Sequence, residues 1–224
     1  MINEEMISYI KSLNRVKSAL ILEMEELAHN ENVPIMDELS LNTMISILQA
    51  QQPKRILEVG TAIGYSAIRL AEALLQQRLS QIERDEHRYE QAVAHIERAG
   101  LSDRIIPYLA DAADAVHLLK PYVPFDSIFI DAAKGKYQTF FQQFEPLLAD
   151  NGVILSDNIL FRGLVAKQDL SMEPKRIQKL VEKIKHYNEW LCQHTGFYTS
   201  IIPIGDGIAC STRIKREDYD NKSK

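Results

Sequence analysis

The fold of this chain is decided by the stretch Arg55-Ile56-Leu57-Glu58-Val59-Gly60-Thr61-Ala62-Ile63-Gly64-Tyr65-Ser66. An apolar run ends at a turn with two glycines, and the chain then continues in an amphipathic pattern with Ile68, Leu70 and Leu74. A buried parallel strand that feeds a helix is typical of this pattern. Open α/β sheets bind ligands at the carboxyl ends of such strands, and glycine lets the backbone come close to another group. We therefore expect a ligand site at this turn.

The spacing at the turn is Glu-x-Gly-x-x-x-Gly, which differs from the Gly-x-Gly-x-x-Gly of dinucleotide-binding folds. Glu58 stands where those folds have their first glycine. A carboxylate aimed at the ligand repels a pyrophosphate but attracts a cation, such as the sulfonium and amino groups of S-adenosylmethionine (SAM). The turn therefore favours SAM, with Glu58 as a cofactor-binding residue. The alternative is an ordinary strand-to-helix turn whose glycine only packs a helix.

Composition limits the class of protein. With 224 residues, 46% of them hydrophobic, the chain can bury a core, and one α/β domain over 1–224 is expected. The net charge of −5 argues against a molecule that is basic as a whole and binds nucleic acid for that reason. Two cysteines, Cys192 and Cys210, lack disulfide-framework or metal-ligand spacing, which indicates a reducing compartment. Because the sequence has neither a signal-like start nor a long apolar run, we expect a cytoplasmic protein without membrane contact.

Strand-like and helix-like patterns alternate from residue 54 onward. They predict strands at 54–59, 78–83, 104–109, 125–131 and 152–157 and helices at 65–76, 86–99, 112–119 and 137–148. This alternation indicates βαβ units and a parallel sheet. A long helix from Pro174 to about Cys192 and two further strands, 198–204 and 207–213, follow, with a hairpin turn at Asp206-Gly207. The predicted fold is a Rossmann-like α/β sheet of seven strands, mostly parallel, with a C-terminal antiparallel hairpin.

The first fifty residues are an addition to this unit. Residues 3–30 predict one or two amphipathic helices, and another helix is expected over 41–48. The apolar stripe of the first segment consists of Ile7, Ile10, Leu13, Val16, Leu20, Met24 and Leu27. We expect residues 1–50 to form a helical extension packed on the domain, as a lid, a dimer face or both.

Acidic residues stand at the carboxyl ends of the predicted strands. Glu83 follows the glycine turn at a distance that suits acceptance of ribose hydroxyls. Asp111 or its neighbouring amide could bind the amino edge of adenine, and Asp131 and Asp157 end the next two strands. One such acid often only caps a helix. Four at the same edge of a sheet favour a ligand site.

Asp131, Asp157 and Asn158 bring two carboxylates and an amide oxygen to one crevice, where the carboxylates would repel each other without a counter-ion. A set of oxygen ligands fits Mg²⁺ or Mn²⁺ and not zinc. The six histidines show no ligand spacing. The sequence therefore predicts a magnesium or manganese site, and the alternative for Asp157-Asn158 is a simple turn after a strand.

Three motifs carry a family resemblance: the stretch 56–66, Phe129-Ile130-Asp131-Ala132-Ala133-Lys134 and Asp157-Asn158-Ile159-Leu160. They resemble the metal-dependent SAM O-methyltransferases of the catechol and caffeoyl-CoA type, over almost the whole chain. The resemblance implies a class I methyltransferase sheet and a metal held by Asp131, Asp157 and Asn158. It also implies SAM contacts, which are expected at Met36, Gly60, Ser66, Glu83, Ala112 and Asp131. Ala110, where the family often has glycine, and the polar strand at 78–82 depart from the pattern.

Within the family, the chain most resembles the bacterial subgroup that methylates 5-hydroxyuridine at the wobble position of tRNA. The segments that carry this likeness are 33–36, 135–138 with Phe140-Phe141, 161–166, 173–176 and 202–207. In the chemistry that the family implies, a metal binds two adjacent acceptor oxygens and lowers the pKa of the hydroxyl. Lys134 would accept the proton or hold the oxyanion. Catechol and 5-hydroxyuracil both offer such an oxygen pair.

Charge is distributed unevenly along the chain. The segment from Arg162 to the end carries 12 Lys/Arg against 8 Asp/Glu, and the rest carries 14 against 23. A local basic field can bind phosphate backbones even in an acidic protein, although a solvated helix face is the alternative. We expect RNA contacts at Arg162, Lys175 and Arg176. Further candidates are Lys179, Lys183, Lys185, Arg213, Lys215 and Arg216 for phosphates, and Tyr137, Phe140, Phe141 or Phe161 for base stacking.

The sequence therefore predicts a SAM- and Mg²⁺-dependent O-methyltransferase that acts on 5-hydroxyuridine in the anticodon region of tRNA and forms a homodimer. A second hypothesis keeps the reaction but has a small catechol or caffeoyl-CoA-like acceptor. A third, a SAM- or RNA-binding module without activity, gives no reason for Lys134 beside three metal-ligand candidates. A nicotinamide dehydrogenase is disfavoured because the glycine spacing is wrong.

Overall fold

The computed structural model describes residues 3–214, which contain a seven-stranded sheet. Its strands are β1 (Arg55–Val59), β2 (Arg78–Glu83), β3 (Ile105–Leu109), β4 (Phe125–Ile130), β5 (Leu148–Ser156), β6 (Phe197–Ile202) and β7 (Ile208–Arg213). The strand order is β3-β2-β1-β4-β5-β7-β6. Strands β1 to β5 are parallel, and β7 is antiparallel to both β5 and β6. The predicted fold class is confirmed.

The helices are α1 (Glu4–Ser12), α2 (Ala19–Glu31), α3 (Glu38–Gln51), α4 (Tyr65–Ala73), α5 (Glu86–Arg98), α6 (Val116–Leu119), α7 (Tyr137–Phe144) and α8 (Lys175–Gln193). Four of them begin with a polar side chain that accepts a hydrogen bond from the first turn, as is usual for N-caps. These caps are Asn3, Ser18, Asp37 and Asp85. The sequence predicted most helices correctly, with ends that differ by a few residues.

The largest differences between the predicted and the observed elements lie at the helix expected over 112–119, at the helix expected over 137–148 and at strand β5. Only Val116–Leu119 is helical, because the Asp111 carboxylate accepts a hydrogen bond from the Ala113 amide (2.9 Å) and forms a local turn instead. The helix expected over 137–148 ends at Phe144, just before Pro146, and β5 begins already at Leu148. Strand β2 has the predicted limits in spite of its polar sequence.

Alternate residues of the strands belong to two hydrophobic clusters, one on each face of the sheet. Ile56 and Phe129 pack with residues of α2, α3 and α4, whereas Leu57, Ile128 and Ile130 pack with residues of α7 and α8. Helices α2 and α3 therefore complete the core on one face. In these two helices the N-terminal segment packs on the sheet through residues such as Met24 and Met44.

Helix α1 differs from the other two N-terminal helices. It contributes no buried residue, and Tyr9, Leu13 and Val16 are 65%, 65% and 99% exposed. The predicted apolar stripe therefore reaches the core only from α2 onward, where Met24 is buried. None of the helices within residues 3–214 combines the length and the apolar character that a bilayer crossing requires.

Candidate active site

The carboxyl ends of the parallel strands open into a cavity of about 290 Å³. Eight of the predicted site residues line it: Gly60, Glu83, Asp111, Ala112, Asp131, Lys134, Asp157 and Asn158. They come from five different strand ends or the turns that follow them. The parallel topology therefore brings together groups that lie far apart in the sequence.

The two glycines of the turn after β1 are required by packing. Gly60 has a φ of 93°, and a Cβ there would collide with the carbonyl oxygen of Asp131 at the end of β4. Gly64 has a φ of 84° and precedes α4, where a Cβ would lie 3.4 Å from Ala92 of α5. Both positions favour glycine on backbone grounds alone. The turn can thus lie flat against the neighbouring strand and expose Gly60 to the cavity.

Glu58 does not face the cavity, which corrects the prediction that its carboxylate points at the ligand. The side chain is fully buried below the turn. Its carboxylate accepts hydrogen bonds from the hydroxyls of Thr61 (2.9 Å) and Ser66 and from the amide of Gln81. These three donors hold the carboxylate away from the cavity. Desolvation raises the pKa of Glu58 to about 7 against the effect of the hydrogen bonds.

Two other predicted cofactor contacts also lie outside the cavity lining. The hydroxyl of Ser66 donates to Glu58, and Met36 is buried in the core formed with α2 and α3. Pro34 and Ile35 line the cavity in place of Met36. The segment before α3 therefore borders the site, as a lid would, through Pro34 and Ile35, the two residues before Met36. Indirect roles of Ser66 and Met36 stay predictions.

Glu83 lines the cavity with its carboxylate already bonded by the backbone. One carboxylate oxygen, Oε2, accepts from the Ala62 amide (2.8 Å), and the other, Oε1, accepts from the amides of Arg84 and Asp85 (both 2.9 Å). A carboxylate oxygen has about two lone pairs, so Oε1 is saturated and Oε2 can accept one more donor. The structure thus leaves Glu83 room for one strong hydrogen bond from a ligand.

Asp157 is buried at the end of β5 and lacks a full set of partners. Its Oδ2 accepts from the side-chain amide of Asn158 (2.8 Å), whereas its Oδ1 is buried without any partner among the described residues. Desolvation raises the pKa of Asp157, and the negative charge of Asp131 raises it further. Desolvation also raises the pKa of Asp131. The two acids therefore lack a counter-charge of sufficient size.

Lys134 is the cation nearest to these acids among the residues that line the cavity. It lies in a short 3₁₀ turn over Lys134–Lys136, and its Nζ donates to the side-chain oxygen of Asn158. Its positive charge lowers the pKa of Asp131 and Asp157, but the desolvation effect is larger. Of the three side chains that the sequence assigned to a metal, Lys134 thus contacts Asn158 directly and acts on Asp131 and Asp157 through its charge.

The chemistry of the donor set fits a hard divalent cation. Asp131, Asp157 and Asn158 offer oxygen atoms only, and the orphaned Oδ1 of Asp157 is a ligand atom without a present use. Within residues 3–214 there is no group of three or more His, Cys, Asp or Glu that could hold a metal ion. A metal at this place therefore needs Asn158 as its third protein ligand.

Two buried tyrosines and an asparagine support the backbone around Asp157, a feature that the sequence did not reveal. The hydroxyl of Tyr137 donates to the Asp157 carbonyl (2.9 Å), and that of Tyr187 bonds with Ser156 (2.7 Å). Asn188 of α8 donates to the Ile159 carbonyl (2.8 Å). Asn158 between them adopts a φ of 57°, a left-handed conformation that such contacts can hold.

The predicted RNA-binding residues lie outside the cavity. Arg162 is exposed, with its backbone amide bonded to Asp206 (3.1 Å), and Lys175 and Arg176 are exposed at the beginning of α8. Arg213 pairs with Glu145 (3.2 Å) and is thereby removed from the basic set. Lys215 and Arg216 lie outside the described residues. Of the proposed stacking residues, Tyr137 and Phe141 are buried in the core, Phe161 is half-buried and Phe140 lines the cavity.

Several cavity residues were missed by sequence reasoning. Arg84 and Arg88 lie beside Glu83, Lys136 lies beside Lys134, and small residues complete the wall. Those small residues are Ala62, Ala110, Ala132 and Ala133. Their positions directly after strand ends were a usable signal, because any residue at the carboxyl edge of a parallel sheet is a candidate for the ligand site.

Comparisons with known proteins show the family to which this chain belongs. A family model described as O-methyltransferase matches residues 9–214. A caffeoyl-CoA O-methyltransferase of Populus kitakamiensis is 33% identical over 189 residues, 82% of this chain and 78% of the relative. A catechol O-methyltransferase of Niastella koreensis is 34% identical over 159 residues, 70% and 69% of the two chains. The crystal structure of an O-methyltransferase from Bacillus cereus in complex with SAH has a TM-score of 0.80 at 25% identity, over 92% of this chain and 96% of that one.

The sheet and its cavity define a Rossmann-like methyltransferase. The chain belongs to the O-methyltransferase family, and it is a SAM-dependent O-methyltransferase of the caffeoyl-CoA and catechol type.

Proposed function

We propose that this enzyme transfers the methyl group of SAM to one of two adjacent oxygens of its acceptor, with a divalent metal held by Asp131, Asp157 and Asn158. The observation that carries the proposal is the buried, unpartnered Oδ1 of Asp157 beside a second carboxylate. A buried acceptor without a donor is unfavourable unless a ligand satisfies it. Mg²⁺ or Mn²⁺ would supply this charge, lower the pKa of an acceptor hydroxyl and orient its oxygen.

The transfer itself is an in-line displacement. The S–CH₃ bond breaks with its electron pair left on sulfur, a new O–CH₃ bond forms, and the acceptor hydroxyl loses its proton. Lys134 holds the acceptor oxyanion by its charge or takes up that proton when it is neutral. Glu83 and Asp111 bind the cofactor at the opposite end of the cavity, and Gly60 lets the turn approach it. Displacement at a methyl carbon needs no other covalent step from the protein.

Two sets of observations favour two different classes of methyl acceptor. The names of the relatives favour a small catechol or a caffeoyl-CoA-like ester. The exposed side chains of Arg162, Lys175 and Arg176 favour tRNA with 5-hydroxyuridine, because within residues 3–214 none of the three side chains is in an ion pair. We take the small acceptor as the first candidate and tRNA as the second.

The test combines acceptors with metal removal. Purified enzyme is given SAM and caffeoyl-CoA, catechol or tRNA that contains 5-hydroxyuridine, and the methylated products are measured by mass spectrometry. Methyl transfer should stop after exhaustive chelation and return with added Mg²⁺ or Mn²⁺. Turnover that survives chelation would rule out the metal role. If tRNA is the acceptor, exchange of Lys175 and Arg176 for glutamate should weaken tRNA binding and make that binding less dependent on salt. Methylation of a small acceptor should be unaffected by the same exchange.

We also propose that the N-terminal segment makes the contact of a homodimer. Within the described residues, Met6, Tyr9 and Leu13 of α1 and its C-cap present apolar side chains that are 48% to 65% exposed. A second copy of this surface is a suitable cover, because symmetric dimers use the same patch on both subunits. Light scattering should show a dimer that Tyr9→Asp with Leu13→Asp converts to a monomer. A wild-type monomer would contradict the proposal.

A further inference from the structure

Three lysines surround Gly135 at the rim of the active-site cavity. Lys134 and Lys136 flank it in the chain, and Lys136 lines the cavity. Lys183 of α8 lies over the same turn, with its Cδ and Nζ 3.5 and 3.6 Å from the position that a Cβ on Gly135 would take. These are ordinary van der Waals distances, so the Lys183 side chain lies directly against the turn. The turn and α8 together form a small basic rim.

Two of these cations, Lys136 and Lys183, have no partner among the described residues. Within the part of the chain that the structure describes, Lys136 and Lys183 take part in no ion pair and donate no side-chain hydrogen bond, and both are exposed. Lys134 differs because its Nζ is already bonded to Asn158. Like charges on either side of Gly135 repel each other, and a bound anion would relieve that repulsion.

Lys183 also continues a basic row along α8. Arg176 and Lys179 precede it at helical spacings that place all three side chains on one face of the helix. Among residues 3–214 neither of them forms an ion pair, and the acidic neighbour Glu182 lies one residue aside on the helix. The row ends at the cavity rim. Its arrangement suits an acceptor that carries phosphate outside the cavity while its reacting oxygens lie inside.

We propose that Lys136 and Lys183 bind a phosphate group of the methyl acceptor at this rim. The inference rests on the proposed function and narrows it, because the acceptor is then a phosphate ester, a nucleotide of RNA or a CoA ester, and not a free catechol. Phosphate oxygens accept strong charge-assisted hydrogen bonds from ammonium groups. The basic row beyond Lys183 offers further contacts to an acceptor with more than one phosphate.

The test uses two matched pairs of acceptors that differ in phosphate but share the reacting oxygens. One pair is 5-hydroxyuridine and its 5′-monophosphate, and the other is caffeoyl-pantetheine and caffeoyl-4′-phosphopantetheine, the part of a CoA ester that carries its first phosphate. In at least one pair, kcat/KM for the phosphorylated member should exceed that of the other on the order of tenfold, as two exposed ion pairs would give. The pair that shows this ratio identifies the source of the phosphate.

Variants of the two lysines then show whether they cause this difference in kcat/KM. Lys136→Gln and Lys183→Gln should each lower the ratio of kcat/KM between the two members of that pair, and the double variant should bring it close to one. Lys54→Gln is the matched control, because Lys54 is exposed just before β1, at the amino edge of the sheet. A wild-type ratio of one in both pairs would overturn the inference, and so would a ratio that the double variant leaves unchanged.

Failure of this inference can be told apart from failure of the proposed function. Binding of 5-hydroxyuridine 5′-monophosphate and of caffeoyl-CoA to the protein loaded with SAH is measured by calorimetry, without turnover. If either binds in a Lys183-dependent manner but no acceptor is methylated, the phosphate site stands and the proposed reaction fails. If catechol is methylated and phosphate gives no advantage in binding or turnover, the reaction stands and the phosphate site fails.

Discussion

The two ends of the active-site cavity differ in how their acidic side chains are satisfied. At the cofactor end, the carboxylates of Glu58 and Glu83 each accept three hydrogen bonds from the protein itself. At the end proposed to hold the metal, one carboxylate oxygen of Asp157 is buried without a partner among the described residues. The side chain of Asp131 there accepts no hydrogen bond from any residue within 3–214. Carboxylates are therefore used in two opposite ways at the two ends, Glu83 and Asp157 within the cavity and Glu58 buried below it.

This difference separates acids whose hydrogen bonds stabilise the fold from acids whose oxygen atoms are available to a ligand. A buried carboxylate with a full set of donors fixes the groups that donate to it, here the turn after β1 and the start of α5. A buried carboxylate with an empty lone pair costs free energy until a cation arrives. We therefore expect the cofactor end to be preformed and the proposed metal end to depend on its ion, and variants at three positions test this contrast.

The largest effect is expected at Asp157. Asp157→Ala removes a metal ligand, so the metal should no longer stabilise the acceptor oxyanion, a loss of several kcal/mol or a rate reduced by about 10³-fold or more. The affinity for SAH should remain, because the cofactor end does not use Asp157. Methyl transfer and calorimetry with SAH measure the two quantities on the same preparation.

Stability gives a second readout for the same position. Asp157→Asn keeps the shape of the side chain and removes a charge that Lys134 offsets only in part in the metal-free protein. Its free energy of unfolding without metal should be equal to that of the wild type or higher. A variant that loses activity and is also strongly destabilised in urea would show that Asp157 is a structural acid, and the contrast between the two ends would disappear.

The next effect concerns the pH dependence of stability at Glu58. Its pKa is raised by desolvation from an ordinary value of 4.5 to about 7, so the folded protein favours the protonated form. The stability that this contributes is complete below pH 4.5 and is lost as the pH rises through 7. The loss amounts to about 3 kcal/mol. Glu58→Gln does not titrate and should lack this decline.

The measurement compares urea unfolding of the wild type and Glu58→Gln at several pH values between 4.5 and 8. Asp131 and Asp157 are present in both proteins, so the difference between the two curves reports on Glu58. Two parallel curves would mean that the three donors from Thr61, Ser66 and Gln81 keep the carboxylate charged throughout. The cofactor end would then be even more rigidly preformed than the structure indicates.

The sequence predicted which acids would meet at the cavity but not the direction of Glu58, and topology explains why. Asp131, Asp157 and Glu83 each follow a parallel strand, and the strand ends must meet at one edge whatever the details of packing. The direction of Glu58 was predicted wrongly because it depends on Gln81, which belongs to a different strand. Hydrogen-bond partners across strands cannot be read from a single stretch.

Two further differences have the same physical origin. An apolar stripe shows that one face of a helix is hydrophobic but not what covers it, so the sequence left a lid and a dimer face open for the N-terminal segment. The turn at 112–115 replaced a predicted helix because the Asp111 side chain competes for a backbone amide. Local patterns therefore predicted which elements exist, whereas contacts between elements decided where side chains point.

The smallest effect is expected at Glu83, which belongs to both classes of acid. Three backbone amides already bind its carboxylate, yet it lines the cavity and its Oε2 can accept one more donor. Glu83→Ala should therefore remove one charge-assisted hydrogen bond to the cofactor, about 1.5 to 3 kcal/mol of SAM binding. Calorimetry with SAM measures this, with Glu86→Ala, an exposed residue at the start of α5, as control. Unchanged affinity would mean that backbone donors use Glu83 completely, so that it is a structural acid like Glu58.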